Sequence, residues 1–111
     1  MTSFAAEVEH LDGRAIVELR GELDITTVST LRDALRTLTY RYDAPQVTID
    51  CEALEFIDAR GLGELVRVSK AFPSGRIRLH NPSRSFCVLL DVTATSDVFE
   101  VDPLVGAESI A

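Results

Sequence analysis

Apolar and polar residues alternate along Phe4-Ala5-Ala6-Glu7-Val8-Glu9-His10 and again along Ala15-Ile16-Val17-Glu18-Leu19-Arg20. This period of two predicts a pair of half-buried β-strands. Asp12-Gly13 between them is a hairpin-turn signal. Gly21 is expected to end the second strand at a bulge or turn that needs unusual backbone angles. The period then changes. Val28, Leu31, Leu35 and Leu38 recur at i, i+3, i+7 and i+10, one apolar stripe on a helix that starts near Thr26 or Thr27. Asp43-Ala44-Pro45 stops it, because proline pushes its predecessor out of helical geometry. Val47 and Ile49 set against Thr48 and Asp50 predict a third strand. Leu62, Leu65, Val66 and Ser69 predict a second helix that runs to about Phe72 and closes in the Pro73-Ser74-Gly75 turn. Arg76-Ile77-Arg78-Leu79-His80 alternates as a fourth strand. Asn81-Pro82-Ser83 opens a third helix through about Asp91, with Phe86, Leu89 and Leu90 in its stripe, and Val98–Val101 is a short final strand. Beyond Pro103 the chain turns small and polar, with Leu104, Val105 and Ile110 as its apolar anchors, a frayed helix or a disordered tail.

The resulting β-β-α-β-α-β-α-β order predicts an α/β (α+β) fold: a mixed sheet of four to five strands with three to four helices packed mainly on one face. No internal repeat or linker divides the chain, so residues 1–111 are expected to form a single domain, with a core over about residues 4–101 and a short tail over 102–111. A composition of 46% apolar and 26% charged residues belongs to globular proteins. No apolar run approaches the roughly 20 residues of a membrane span. The first ten residues carry no basic segment leading into an apolar one, so the cytoplasm is the expected compartment. Cys51 and Cys87 form no CxxC pair and are expected to pack as small apolar thiols. With His10 and His80 the only histidines, no metal site is expected. A net charge of −7 repels phosphate backbones and counts against nucleic acid as a partner. The basic residues Arg76, Arg78 and Arg84 read as a solvated strand face.

The most informative stretch lies between the third strand and the second helix. Asp58 sits where an N-cap belongs, its carboxylate placed to accept from the first free backbone N–H groups. Gly61 and Gly63 come next in the first turn, where each weakens a helix by about 1 kcal/mol. A chain that keeps them there is expected to need something close against that backbone. Arg60 places a cation in the same turn, against the helix dipole. Either Glu64 at i+4 pairs with it, or it projects toward an acidic or phosphate group on a partner.

The pattern Leu54-x-Phe56-Ile57-Asp58-x-x-Gly61-Leu62-Gly63 resembles the signature of the STAS family, the domain of bacterial anti-sigma factor antagonists. Leu19-Arg20-Gly21-Glu22-Leu23-Asp24, running into a helix at Thr26 or Thr27, is similar to the family's second element, and the order of elements fits from about Phe4 to Val101. The resemblance implies the same kind of fold. It also implies a protein that binds an anti-sigma factor of the ATP-binding serine-kinase type and so frees a sigma factor, through a surface at these two motifs. The implied partner-binding residues are Asp24 and Thr27 on one loop, with Asp58, Ala59, Arg60, Gly61 and Leu62 on the other. Gly61 would let a partner backbone come close, and Leu62 is either core or anchor. A plain structural role is also open to the aspartates, Asp58 as a cap and Asp24 or a threonine as the cap of the first helix.

One departure from the family pattern matters. In phosphorylated members a serine directly follows the motif aspartate, and here that residue is Ala59, with Arg60 next. Alanine has no hydroxyl, so a phosphate switch at this position is ruled out. A different class of role therefore stays open: a STAS scaffold or interaction module of a signalling assembly, self-associating or binding a small ligand. Catalysis is not expected. Nothing in the spacing brings Asp58, His80 and Ser83 together as a triad, and no Gly-x-Ser-x-Gly elbow occurs. Gly61-Leu62-Gly63 lacks the spacing of a dinucleotide or phosphate loop. No cofactor and no membrane contact are implied.

Overall fold

The computed structural model describes residues 4–11, 13–41, 46–71 and 77–102. The chain runs β1 (Ala5–Leu11), β2 (Arg14–Leu23), α1 (Val28–Arg41), β3 (Gln46–Asp50), β4 (Leu54–Ile57), α2 (Ala59–Lys70), β5 (Ile77–His80), α3 (Arg84–Val92), a 3₁₀ turn (Ser96–Val98) and β6 (Glu100–Asp102). The strands form one mixed sheet in the order β1-β2-β3-β5-β6, with β4 joined to β2 off that path. β1 and β2 are antiparallel; every other pairing among the described residues is parallel.

The alternation read along the strands decides which face is buried. Ala15, Val17, Leu19 and Leu23 of β2, Val47 and Ile49 of β3, and Ile77 and Leu79 of β5 are buried in one core. The helix stripes close over them and complete a single cluster: Leu31, Leu35 and Leu38 from α1, Leu62, Leu65 and Val68 from α2, Phe86 and Leu90 from α3. Each fully buried leucine contributes about 1.5–3 kcal/mol, which holds the helices to this face. The intervening strand positions are mostly polar, Ile16 of β2 being an apolar exception. One row across five strands carries Glu7, Glu18, Asp50, His80 and Asp102, each opposite the next in register.

The α/β class is as expected, and three details differ. The sheet has six strands, because Leu54–Ile57 forms a strand that its four residues hid in the sequence. β2 does not end at Gly21 but continues to Leu23. Gly21 has φ +86°, and the β2–β4 register slips beside it, Gly21 facing Leu54 and Glu22 facing Phe56. The bulge matches expectation, and the strand's continuation past it does not. The last strand is Glu100–Asp102, and Val98 belongs to the 3₁₀ turn before it. The turns expected at Asp43-Ala44-Pro45 and Pro73-Ser74-Gly75, along with Asp12, Phe72, Arg76 and the tail beyond Asp102, lie outside the described residues.

β3 and β4 line up along β2, one beside residues 14–18 and the other beside residues 21–23. They are two parts of an interrupted strand. A tight turn joins them, Leu54 N–H donating to the Cys51 carbonyl at 3.1 Å, and Gly21 N–H bonds the Ala53 carbonyl at 3.2 Å across the break. Cys51 itself is buried, and that burial, with the nearby Asp50 and Cys87 charges, pushes its thiol up to about 12. Both cysteines are free, as expected for packed thiols.

Gly61 and Gly63 separate by what surrounds them. A Cβ at Gly61 would lie 2.6 Å from Leu23 Cγ and 3.0 Å from the Leu23 carbonyl oxygen, while nothing lies within 4 Å of a Cβ at Gly63. Gly61→Ala should therefore destabilise the protein, an overpacking cost of about 1–3 kcal/mol outweighing about 1 kcal/mol of helix propensity gained. Gly63→Ala should stabilise it by up to about 1 kcal/mol. Urea unfolding of the two variants checks the opposite signs.

Candidate functional site

β2 and β4 run parallel and both lead directly into helices, so their carboxyl ends carry two neighbouring loops. Leu23 faces Ile57 across the pair, and the next residue on each strand is an aspartate, Asp24 and Asp58. Asp58 N–H donates to the Leu23 carbonyl at 3.2 Å, tying one loop to the other. Parallel sheets place ligands at such strand ends, where loops converge and backbone N–H groups at helix starts are free.

Asp58 caps α2. Its Oδ1 accepts from Arg60 N–H and Gly61 N–H, both at 3.0 Å. Its Oδ2 has no partner among the described residues. Asp24 folds its own loop. Its Oδ1 accepts from Thr26 N–H at 2.9 Å and from the Thr26 hydroxyl at 2.6 Å. These bonds, Thr26's above all and aided by Thr27, hold the Asp24 carboxyl below its usual value against a smaller opposing effect of burial. The Thr27 hydroxyl accepts from Asp24 N–H at 3.0 Å and donates to the Glu22 carbonyl at 2.8 Å. Its hydrogen bonds are therefore used in shaping the turn.

The structure sorts the expected residues into two groups. Asp24, Asp58, Ala59 and Arg60 lie at or near the surface of the paired loops, Ala59 and Arg60 exposed. Gly61 and Leu62 are buried. Gly61's close neighbour is Leu23 of this chain, and Leu62 belongs to the core. Arg60 does not pair with Glu64. It makes no ion pair among the described residues, because Glu64 is buried and taken by two other arginines. Two residues without periodicity to signal them join the surface: Ile25, 58% exposed beside Asp24, and Phe56, 48% exposed two residues before Asp58. Their signal in the sequence was a large apolar residue close to a motif aspartate and outside any core stripe.

Glu64 is the one buried charged residue among those described, 5% exposed. Its Oε1 accepts from Arg32 Nε at 3.2 Å and Nη2 at 3.1 Å. Its Oε2 accepts from Arg67 Nε at 3.0 Å and from Arg67 Nη2. The carboxylate thus bridges α1 to α2. Burial alone would raise its pKa, but the hydrogen bonds and charges of Arg67 and Arg32 outweigh this and hold it below the ordinary glutamate value.

With this geometry in view, comparison with known proteins places the chain. Residues 6–104 match the family model described as Mlab, STAS domain, and the chain belongs to the STAS family. Three solved structures share the fold. An anti-sigma factor antagonist from Mycobacterium paratuberculosis superposes with a TM-score of 0.82 at 23% identity, covering 97% of this chain and 92% of that one. An anti-sigma factor antagonist homologue from Thermotoga maritima gives 0.78 at 18% identity, with 95% and 92% covered. The antagonist SpoIIAA of Bacillus, in its unphosphorylated form, gives 0.70 at 22% identity, with 96% and 94% covered; its phosphorylated form has also been solved.

Because Glu64's folded pKa is depressed, its contribution to stability is complete above the unfolded glutamate value of about 4.3 and is lost as pH falls through the folded value. Glu64→Gln should cost about 1–3 kcal/mol at neutral pH. The gap in melting temperature between the two proteins should narrow below about pH 4. A gap that stays constant from neutral to acid pH would show that the charge on Glu64 contributes nothing.

Proposed function

We propose that this chain is an anti-sigma factor antagonist: it binds an ATP-binding, serine-kinase type anti-sigma factor and thereby frees the sigma factor that protein holds. The observation that carries the reading is the pairing of β2 with β4, which sets the Asp24 and Asp58 loops side by side as one surface. The mechanism is competition for a binding face, and the chain performs no chemistry of its own. The fold it shares with SpoIIAA and the other antagonists supports the reading.

The roles of individual residues come from exposure and bonding. Asp58 Oδ2 and the exposed Arg60 guanidinium offer an anion and a cation to the partner. Asp24 presents a second carboxylate, pinned by Thr26 and Thr27 so that little side-chain entropy is lost on binding. Ile25 and Phe56 flank the charges and act as the apolar anchors that such an interface needs. Gly61 and Leu62 act from beneath by fixing the height of α2 against Leu23.

Ala59 sets the mode of control. It occupies the first position of α2, exposed, next to backbone N–H groups already engaged by Asp58. A phosphoserine here would bring roughly −1.5 to −2 charges to the contact face. With alanine in its place there is no phosphate switch at this position, and the antagonist is always competent, controlled by its abundance, or modified elsewhere. The same alanine favours a second reading, a STAS interaction module of a signalling assembly unconnected with sigma release.

Affinity capture of the tagged protein from its own cells, with mass spectrometry of the bound proteins, separates the two. Recovery of an ATP-binding anti-sigma factor supports the antagonist; recovery of only this chain or of other signalling domains supports the assembly module. With the captured partner in hand, Asp58→Ala should weaken binding by more than the cap loss of about 0.5–2 kcal/mol accounts for, while Asp58→Ser, which keeps a cap, should weaken it similarly. Ala59→Ser should acquire one phosphate from the bound, ATP-loaded kinase, read as a mass increase. An active kinase that binds the variant and leaves the new serine unmodified would show that the loop does not present this position for transfer.

A further inference from the structure

Along the C-terminal half of α2, away from the Asp24–Asp58 loops, α1 and α2 border an open cleft of about 760 Å³. Arg32, Arg36 and Arg67 line it, and Glu64 is the one carboxylate among the described lining residues. Leu35, Val68 and Ala71 add an apolar strip. The size lies within the range of small-molecule sites, about 300–1,000 Å³.

The way Glu64 holds its arginines leaves them able to bind something else. A guanidinium has five N–H donors in a rigid planar fork. Arg32 and Arg67 each spend the Nε–Nη2 edge on Glu64. The Nη1 pair and the second Nη2 hydrogen of each remain, and they form the end-on fork. The Glu64 side chain is 4% exposed, whereas those of Arg32 and Arg67 are 45% and 63% exposed. The carboxylate is therefore the buried partner, and the two guanidinium side chains, largely exposed, line the cleft. An end-on fork is matched by two oxygens of one phosphate, with charge assistance from both sides.

We propose that the α1–α2 cleft is a binding site for a small phosphate-bearing ligand of at least two negative charges. The outer forks of Arg32 and Arg67 hold its phosphate oxygens, and the rest of the ligand lies against Leu35 and Val68. Glu64 is a positioning residue: it aims two guanidiniums from behind. A monocarboxylate would engage a single fork, whereas a diphosphate has oxygens for both. A free phosphorylated metabolite and a phospholipid headgroup share this chemistry. The site is independent of the sigma-pathway reading, since none of its residues belongs to the Asp24–Asp58 surface.

The test is titration of the whole protein with inorganic pyrophosphate at low ionic strength, read by calorimetry and by NMR of the arginine Nε–H signals. Saturable one-to-one binding that moves the Arg32 and Arg67 signals is expected. Arg67→Lys keeps the charge and loses the fork, and should weaken binding about tenfold, the value of one charge-assisted hydrogen bond. Glu64→Gln is decisive in sign. It makes the cleft more positive, so diffuse attraction would tighten binding, whereas loss of aim weakens it. Each variant is first shown to be folded by its thermal transition. Flotation with vesicles containing phosphatidic acid, competed by pyrophosphate, assigns the ligand to the headgroup source; pyrophosphate binding without flotation assigns it to the free one. Absence of saturable binding to either probe overturns the proposal. So does tighter binding by Glu64→Gln, and so does an unchanged affinity of Arg67→Lys.

Discussion

Leu23 and Gly61 meet so closely that no side chain fits between them, and the geometry of the paired-loop surface depends on this approach. Leu23 is the last residue of β2, and its carbonyl accepts from Asp58 N–H while its side chain underlies the first turn of α2. That seats the helix start directly on the strand end. The two aspartates then emerge one residue beyond paired positions, on adjacent strands about 4.8 Å apart. A larger residue at 61 would lift α2 and open the two loops relative to each other.

The interruption between β3 and β4 serves the same end. A single unbroken strand beside β2 would carry its pairing straight past Gly21. Instead the chain turns at Cys51–Ala53, re-enters beside the last residues of β2, and delivers Asp58 level with Asp24. The bulge at Gly21 takes up the mismatch in register. Bulges that end or redirect pairing next to a functional surface are a common device, since one extra residue re-aims the side chains beyond it.

Beyond this surface the buried Glu64 accepts four charge-assisted bonds, two from Arg67 on its own helix and two from Arg32 that join α1 to α2. A buried carboxylate is costly unless its oxygens are engaged, and here both are. The arrangement contributes specificity of helix placement as well as energy, since α2 can sit against α1 only where Arg32 reaches Oε1. The same four bonds leave the outer edges of both guanidiniums exposed, so one structural ion cluster defines the chemistry of the cleft beside it.

Periodicity of two and of 3.6 is a local property, so β1, β2, the three helices and most of their buried stripes are readable from the chain alone; in α2, however, Val68 and Glu64 take buried places while Val66 and Ser69 are only half-buried. Asp58's capping role is equally local, given by its place before an apolar-faced helix. The bulge at Gly21 is visible too, because a glycine inside a strand pattern has few other uses. The features that the sequence hides depend on residues far apart in it. β4 has only four residues and acquires its identity from β2. Gly61 signals a close approach, but the approaching group is Leu23, from a distant strand of the same chain, and not a partner. Glu64 stands at i+4 from Arg60, yet its partners are Arg67 and, across the helix pair, Arg32. Local spacing proposes which groups can meet on one element. Tertiary packing decides which do, because a buried carboxylate takes the donors that reach it inside the fold, and an exposed arginine one turn away on the same helix cannot follow it there.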